Sequence, residues 1–214
     1  MLRRFVSLLC ALMLCLSILP QAQAAAAKTL TVSFQTTTYQ NRARTLLKQI
    51  NTLRKANGVG ELVMLADLEK VAIQRAAELF VFFDHDRPDL KGFDTAYTEY
   101  KSLKDCQAVS ECIAAGYSKA EEVFDDWQDS AEDSLLDGDF THAGLACVYM
   151  EDSANEYYWA LYLMQLPEET SAKKAESTAG RWGGMLFQAR SQVSLTHSSA
   201  SRWSAKIFCA MVVQ

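Results

Sequence analysis

Proline and glycine are scarce in this chain of 214 residues, at three and nine, and histidine occurs only three times. So few chain breakers exclude a collagen-like or Pro/Gly-rich low-complexity architecture. Clustered basic charge is also missing: no basic group extends beyond short pairs such as Arg42/Arg44 and Lys173/Lys174. With 21 basic residues against 26 acidic ones the formal net charge is −5, which sets nucleic acid aside, because phosphate binding needs grouped Lys and Arg. No two cysteines stand at C-x-x-C spacing, so the usual structural zinc motifs are absent. No G-x-S-x-G is present either, and the strand-turn-helix nucleophile that this motif builds is excluded.

Long apolar runs are missing as well, with one partial exception at the N-terminus. Arg3 and Arg4 precede the apolar stretch Phe5 to Leu19, and Pro20 is followed by Ala22-Gln23-Ala24. Charged start, apolar middle and A-x-A are the three parts of an export leader. The apolar part falls short of the roughly 20 residues a spanning helix needs. The expectation is a signal peptide over 1–24, a secreted or periplasmic protein, and no stable membrane span after cleavage. Losing Arg3 and Arg4 and no acids takes the formal charge from −5 to −7. Cys106, Cys112, Cys147 and Cys209 would remain. In an oxidising compartment they allow two disulfides in three connectivities. Cys112 and Cys147 both lie in strand-like segments and form one candidate cross-sheet pair; Cys209 reads equally well as bridged or as an unpaired tail cysteine.

Residues 25–38 form a polar, Thr-rich leader with a strand expected at Leu30 to Phe34. A domain is expected over 39–166. Leu46, Leu47, Ile50 and Leu53 repeat at helical spacing until Gly58 and Gly60 end the run. Leu62 to Leu65 make an extended link. A second helix, capped by Asp67, places Leu68, Val71, Ala72, Arg75, Ala76, Leu79 and Phe80 on one stripe. Asp84 to Asp89 is a polar loop closed by Pro88. After an irregular, tyrosine-containing segment comes a short strand bearing Glu111 and turning at Gly116. Ser118 and Glu121 have capping-box spacing for a third helix, and Ser130 with Asp133 repeats the pattern for a fourth, shorter one. Phe140 to Met150 and Tyr157 to Leu166 alternate as a hairpin. Residues 167–214, rich in Ser, Ala and Thr, read as a low-complexity tail or linker in which Ile207 to Val213 supplies a terminal edge strand.

That order of elements, with the residues it carries, resembles the CAP superfamily: cysteine-rich secretory proteins, antigen 5 and plant pathogenesis-related proteins. The bacterial, SCP-like secreted branch is the nearer likeness. Asn51-x-x-Arg54 with Gly58 and Leu62, then Leu68-x-x-x-Ala72-x-x-Arg75-Ala76-x-Glu78, are similar to its first two helices. Phe83-Asp84-His85 with Arg87-Pro88-Asp89 looks like its F-S-H loop and R-P-D ending, and Glu111-Cys112-Ile113-Ala114-x-Gly116 like its E-N-I-A-x-G strand. Val123-x-x-x-Trp127-x-x-Ser130, Phe140-x-x-x-Gly144 and Tyr158-Trp159 match the later segments. The resemblance implies an α+β fold, an α-β-α sandwich with a small antiparallel sheet flanked by helices.

It also implies a cleft that gathers two histidines and one or two acids. Here His85 takes the first histidine's place and Glu111 the glutamate's. Asp133 stands where the second histidine is due, and Ser130 where other branches carry a second glutamate. His85, Glu111, Ser130 and Asp133 are therefore the candidate ligand-binding cleft, with His85, Glu111 and Asp133 as candidate ligands for a divalent cation. One imidazole with carboxylates is a harder donor set than zinc prefers, so Mg²⁺ and Ca²⁺ stand beside Zn²⁺. Against this, Asp133 also reads as a helix-capping or solvated residue, Ser130 as an ordinary cap serine, and a Ser130–His85–Glu111 relay has no further support. His142 shares a strand face with Gly144, Ala146 and Val148, where it is either a displaced ligand or part of the core. His197 lies in the tail and is given no role. The acidic run from Glu121 to Asp139 lacks the order of a calcium loop and reads as a solvated face. Trp127, Tyr158, Trp159 and Tyr162 read as core. Two functions follow. One is an extracellular binding or interaction module for a small ligand, lipid, glycan or protein, without firm catalytic residues. The alternative is a metal-assisted, peptidase-like hydrolase with Glu111 as base and His85 as metal ligand or acid.

Overall fold

In the computed structural model, which describes residues 30–167, 174, 186–193 and 208–213, each helix is fixed to one face of a single sheet by its apolar stripe. Helix α1 (Gln40–Ala56) buries Ala43, Leu46, Leu47 and Ile50. It stops at a Schellman turn: Gly58 takes φ +73°, the Gly58 N–H donates to the Lys55 carbonyl at 3.2 Å and the Val59 N–H to that of Arg54 at 2.8 Å. Helix α2 (Ala66–Val81) buries Leu68, Val71, Ala72, Ala76 and Leu79. Helix α3 (Ala120–Ser130) buries Val123 and Trp127, and the short α4 (Glu132–Leu135) buries Leu135.

The sheet comprises β1 (Leu30–Thr38), β2 (Val63–Met64), β3 (Ala108–Ala115), β4 (His142–Tyr149), β5 (Tyr157–Gln165), β6 (Leu186–Val193) and β7 (Phe208–Val213). Its order is β6-β1-β4-β5-β3-β7, antiparallel throughout except that β2 runs parallel to β4. Two apolar clusters lie on its two faces. Helix α2 and the 3₁₀ turns Phe93–Tyr97 and Lys101–Leu103 cover Val109, Ile113, Ala146, Val148, Ala160 and Tyr162. Helices α1, α3 and α4 cover Cys112, Ala114, Leu145, Cys147, Trp159 and Leu161. This is the expected α-β-α sandwich. Trp127, Tyr158, Trp159 and Tyr162 are buried in it, as the pattern predicts.

The structure departs from the sequence reading in four places. The sheet is larger than a small one, because the stretch read as a linker contributes β6, paired with β1 over its whole length. The terminal strand expected over Ile207 to Val213, by contrast, is found as β7, beside β3. Helix α3 starts later than Ser118–Glu121 predicts: the Glu122 carboxylate accepts from the Lys119 N–H at 3.3 Å, so the capping interaction is shifted by one residue. Asp67 is not the cap of α2; Leu65 holds that position and Asp67 sits in the first turn, where it pairs with Lys70 and accepts from Ser102. Its charge still favours the positive end of the helix dipole. Finally, β5 lies between β3 and β4, which removes the Cys112–Cys147 pairing. Among the described residues no disulfide is seen, and Cys106 and Cys147 are buried thiols. Burial pushes the Cys147 thiol up to about 12 despite the nearby Arg42. The leader at 1–24 lies outside the described residues. No helix among them is long and apolar enough to cross a membrane.

Two polar devices hold the layers in register. The Arg54 guanidinium, fully buried, donates to four carbonyls: Gly60 at 2.6 Å, Leu135 at 2.7 Å, Asp137 at 3.0 Å and Phe140 at 2.7 Å. It thereby ties the end of α1 to the link between α4 and β4. The Asn51 amide both donates to and accepts from the backbone of Leu62, which sets the start of β2. On the opposite face, Gly144 lets α2 approach β4 so closely that a Cβ would lie against the carbonyl group of Leu68. Gly144→Ala is expected to destabilise the protein by about 3 kcal/mol, since backbone cannot yield as a side chain does. Urea denaturation measures it; a loss under about 0.5 kcal/mol would show that the two layers can slide apart without cost.

Candidate functional site: the His85–Glu111–Arg75 network

Strand β3 alternates, so Ser110 and Glu111 project from opposite faces of the sheet. Glu111 points under α2 and is completely buried. A buried carboxylate needs a partner, and α2 supplies one from its own apolar stripe. Arg75, also fully buried, donates from Nε to Glu111 Oε1 at 2.8 Å and from Nη2 to Oε2 at 3.4 Å. The same guanidinium donates to Glu78 Oε2 at 3.0 Å and to the carbonyl of Asp84 at 3.0 Å. Arg75 therefore holds both the carboxylate and the backbone of the loop that carries the histidine.

His85 lies 2.7 Å from Glu111 Oε2 through Nδ1 and keeps 21% of its side chain exposed. An ionised carboxylate only accepts, so the ring proton sits on Nδ1. The ring meets Phe93 edge-on at 6.0 Å. Arg87 closes the network from the outside, donating to Glu78 from Nη2 at 2.7 Å and from Nε at 3.1 Å. Tyr162, paired with Glu111 across the β3–β5 ladder, donates its hydroxyl to the Phe93 carbonyl at 3.0 Å. Burial and the adjacent Glu111 charge push its phenol well above the ordinary range. Two guanidinium groups thus face two carboxylates under one helix.

For Arg75, Glu78 and Arg87 burial works against the charge, and the partners outweigh it. For Glu78 desolvation alone would raise the carboxyl; the hydrogen bond from Arg87 and the charges of Arg75 and Arg87 hold it below the usual range instead. Burial alone would pull the Arg75 guanidinium down, yet the charge of Glu111 raises it.

The structure brings together two of the four cleft residues expected from the sequence. Ser130 and Asp133 lie across the sheet from them, since α4 packs on the face where the Ser110 hydroxyl donates to Ser134 at 3.4 Å. Both are exposed, and the Ser130 hydroxyl donates to the carbonyl of Asp126 within its own helix. His142 occupies the α2 face of β4, with β5 between it and β3, and its Nδ1 is 2.8 Å from the hydroxyl of Thr141. Burial and then Lys174 lower its pKa. His197 lies outside the described residues.

This arrangement does not suit a divalent cation. Both oxygens of Glu111 already accept charge-assisted bonds, and the buried Arg75 beside them repels a second positive charge. Asp133, the third expected ligand, stands on another layer. Arg75, Glu78, Arg87 and Tyr162 are the members that sequence reasoning missed. The signal was present: Arg75 falls on the apolar stripe of α2, and a charge on a buried stripe demands a counter-charge.

The family model of the cysteine-rich secretory protein family, CAP, matches residues 47–163, more than half of the chain. The chain belongs to the CAP family. Two solved structures share the fold of this CAP domain. One is an outer surface protein of Borrelia burgdorferi, 17% identical with a TM-score of 0.55, covering 65% of this chain and 100% of that one. The other is an extracellular protein containing a SCP domain from Bacillus anthracis, 20% identical with a TM-score of 0.51, covering 59% of this chain and 41% of that one. At such identities the likeness is one of fold. No curated protein matches the chain.

Removing one member of the buried pair leaves an uncompensated charge. Arg75→Met is expected to cost about 3–5 kcal/mol, while Arg75→Met combined with Glu111→Leu recovers much of it. A double-mutant cycle by urea denaturation tests this, and additive losses would mean that the two groups act independently. The lowered pKa of Glu78 gives a pH signature. Its contribution is complete above the ordinary glutamate value of 4.5 and is lost as the pH falls through the lower folded value. Glu78→Gln should flatten the stability–pH curve below that point, and an unchanged acid limb would exclude this carboxylate as its source.

Proposed function

We propose that this chain is an extracellular CAP module that acts by binding, with the buried His85–Glu111–Arg75 network serving as a strut beneath its surface. The observation that carries the reading is the state of Glu111: fully buried, with both oxygens accepting hydrogen bonds from Arg75 and His85. A general base must reach the proton it removes, and a metal-ligating carboxylate must have a lone pair to give. A guanidinium at 2.8 Å opposes both roles. Extracellular placement is supported by the leader pattern at 1–24 and by the printed descriptions of the two similar structures as outer surface and extracellular proteins. The ligand class stays broad, a small molecule, lipid, glycan or protein met outside the cell, with the exposed edge of His85 as the part of the network that such a ligand can touch.

Thermal unfolding of purified protein with Zn²⁺, Mg²⁺ or Ca²⁺ at millimolar concentration, beside His85→Ala, tests the choice. The expected result is a change below about 1 °C for each ion. A peptide library should show no turnover that depends on Glu111 or His85. Metal stabilisation abolished by His85→Ala, or hydrolysis lost in Glu111→Gln while folding is retained, would establish the metal-assisted hydrolase instead.

A further inference from the structure

Strand β7 sets Cys209 directly opposite Cys112 of β3 in an antiparallel ladder that runs from Ala108↔Val213 to Ile113↔Phe208. We propose that Cys112 and Cys209 form a cross-strand disulfide that fastens β7 to the edge of the sheet. Directly paired residues of antiparallel strands have Cα atoms about 4.5–5.5 Å apart, within the 4.4–6.8 Å span that a disulfide bridges.

The fold eliminates the other pairings of these four cysteines, that of Cys147 with Cys209 because β5 and β3 lie between β4 and β7. Cys112 and Cys147 are separated by β5, with Cys112 opposite Leu161 and Leu161 opposite Leu145. Two strand spacings put them about 9–10 Å apart before the further offset along β4 is counted, beyond disulfide reach. Cys106 is buried in the cluster under α2, whereas Cys112 and Cys147 belong to the cluster under α1. Its Sγ lies 3.2 Å from the Ala108 carbonyl, at the Val213 end of the ladder and four register positions from Cys209, roughly 13 Å along the strand. One bridge and two thiols follow.

Formation is ordinary thiol–disulfide exchange. The Cys112 or Cys209 thiolate attacks a small-molecule or protein disulfide, and the other thiolate then displaces the carrier from the mixed disulfide. One S–S bond forms in the protein and one breaks in the oxidant, which leaves as two thiols with the two protons and two electrons. Cys112 is fully buried once the sheet is complete, so exchange precedes or accompanies the docking of β7. The bridge closes a loop of about 100 residues, and cross-links across long loops restrict the unfolded chain most. It would give the C-terminal segment a covalent reason to stay in the sheet. This inference does not depend on the binding reading above.

The test folds the full chain in a glutathione/glutathione-disulfide buffer, alkylates it under denaturing conditions without reductant, and maps the peptides by mass. A linked Cys112–Cys209 peptide with Cys106 and Cys147 alkylated is the expected result. Alkylation of both Cys112 and Cys209, or a bridge from either to Cys106 or Cys147, would overturn the proposal. Cys209→Ser gives a second readout that avoids disturbing the buried Cys112. Reductant should lower the melting temperature of the oxidised wild type by several degrees and leave Cys209→Ser unmoved; equal responses would count against the bridge.

Discussion

The ion pair between Arg75 and Glu111 is the contact on which the α2 side of this domain depends. It joins the middle of a helix to the middle of a strand, at zero exposure on both sides. Neither charge is tolerable there alone, so helix and strand can be adjacent only in the register that brings the two groups together. Apolar contacts, which are non-directional, would accept a helix displaced by a turn. The pair does not, and by donating also to the Asp84 carbonyl it extends that register to the loop bearing His85. In this domain specificity of packing is the larger contribution of the pair, since net stability from a buried ion pair is modest once desolvation is counted.

The opposite layer has a counterpart without a carboxylate. Arg54 meets carbonyl oxygens at the end of α1 and before β4, so the charge is dispersed over backbone dipoles. Burial lowers its pKa, and Asp137 opposes that shift only in part. The two buried arginines thus solve different problems. Arg54 satisfies a stretch of irregular chain that has no ladder of its own, and Arg75 neutralises an acid. Both occupy apolar stripes of amphipathic helices, one on each side of the sheet. For the functional site the difference matters, because only Arg75 occupies the carboxylate that chemistry would need.

Much of the fold was legible because its signals are local. Leu46, Leu47 and Ile50 announce a helix by spacing, Gly58 ends it, and the alternation of β4 and β5 around an acidic turn announces a hairpin. The family resemblance rested on such motifs and is matched by the family assignment over residues 47–163. The candidate site was legible to the extent of His85 and Glu111. What failed were statements about which layer a residue joins. Asp133 and Ser130 follow the Trp127 motif correctly in the chain, yet α4 lies across the sheet from Glu111. Strand β6, LFQARSQV, lacks a clean apolar–polar alternation and lies among Ser, Ala, Thr and charged residues, so only its pairing with β1 reveals it.

Taken alone, the sequence determined the elements, their apolar faces and the family, because periodicity, capping and turn chemistry act between residues a few positions apart. It also marked Arg75 as a problem to be solved, a charge among Val71, Ala72 and Leu79. Tertiary structure decided the rest. It chose Glu111 as the counter-charge 36 residues away, placed Asp133 elsewhere, and inserted β5 between Cys112 and Cys147. It also put Cys209 opposite Cys112. Each of those outcomes depends on strand order and on which face a helix covers. Non-local packing sets both, and no spacing in the chain encodes either.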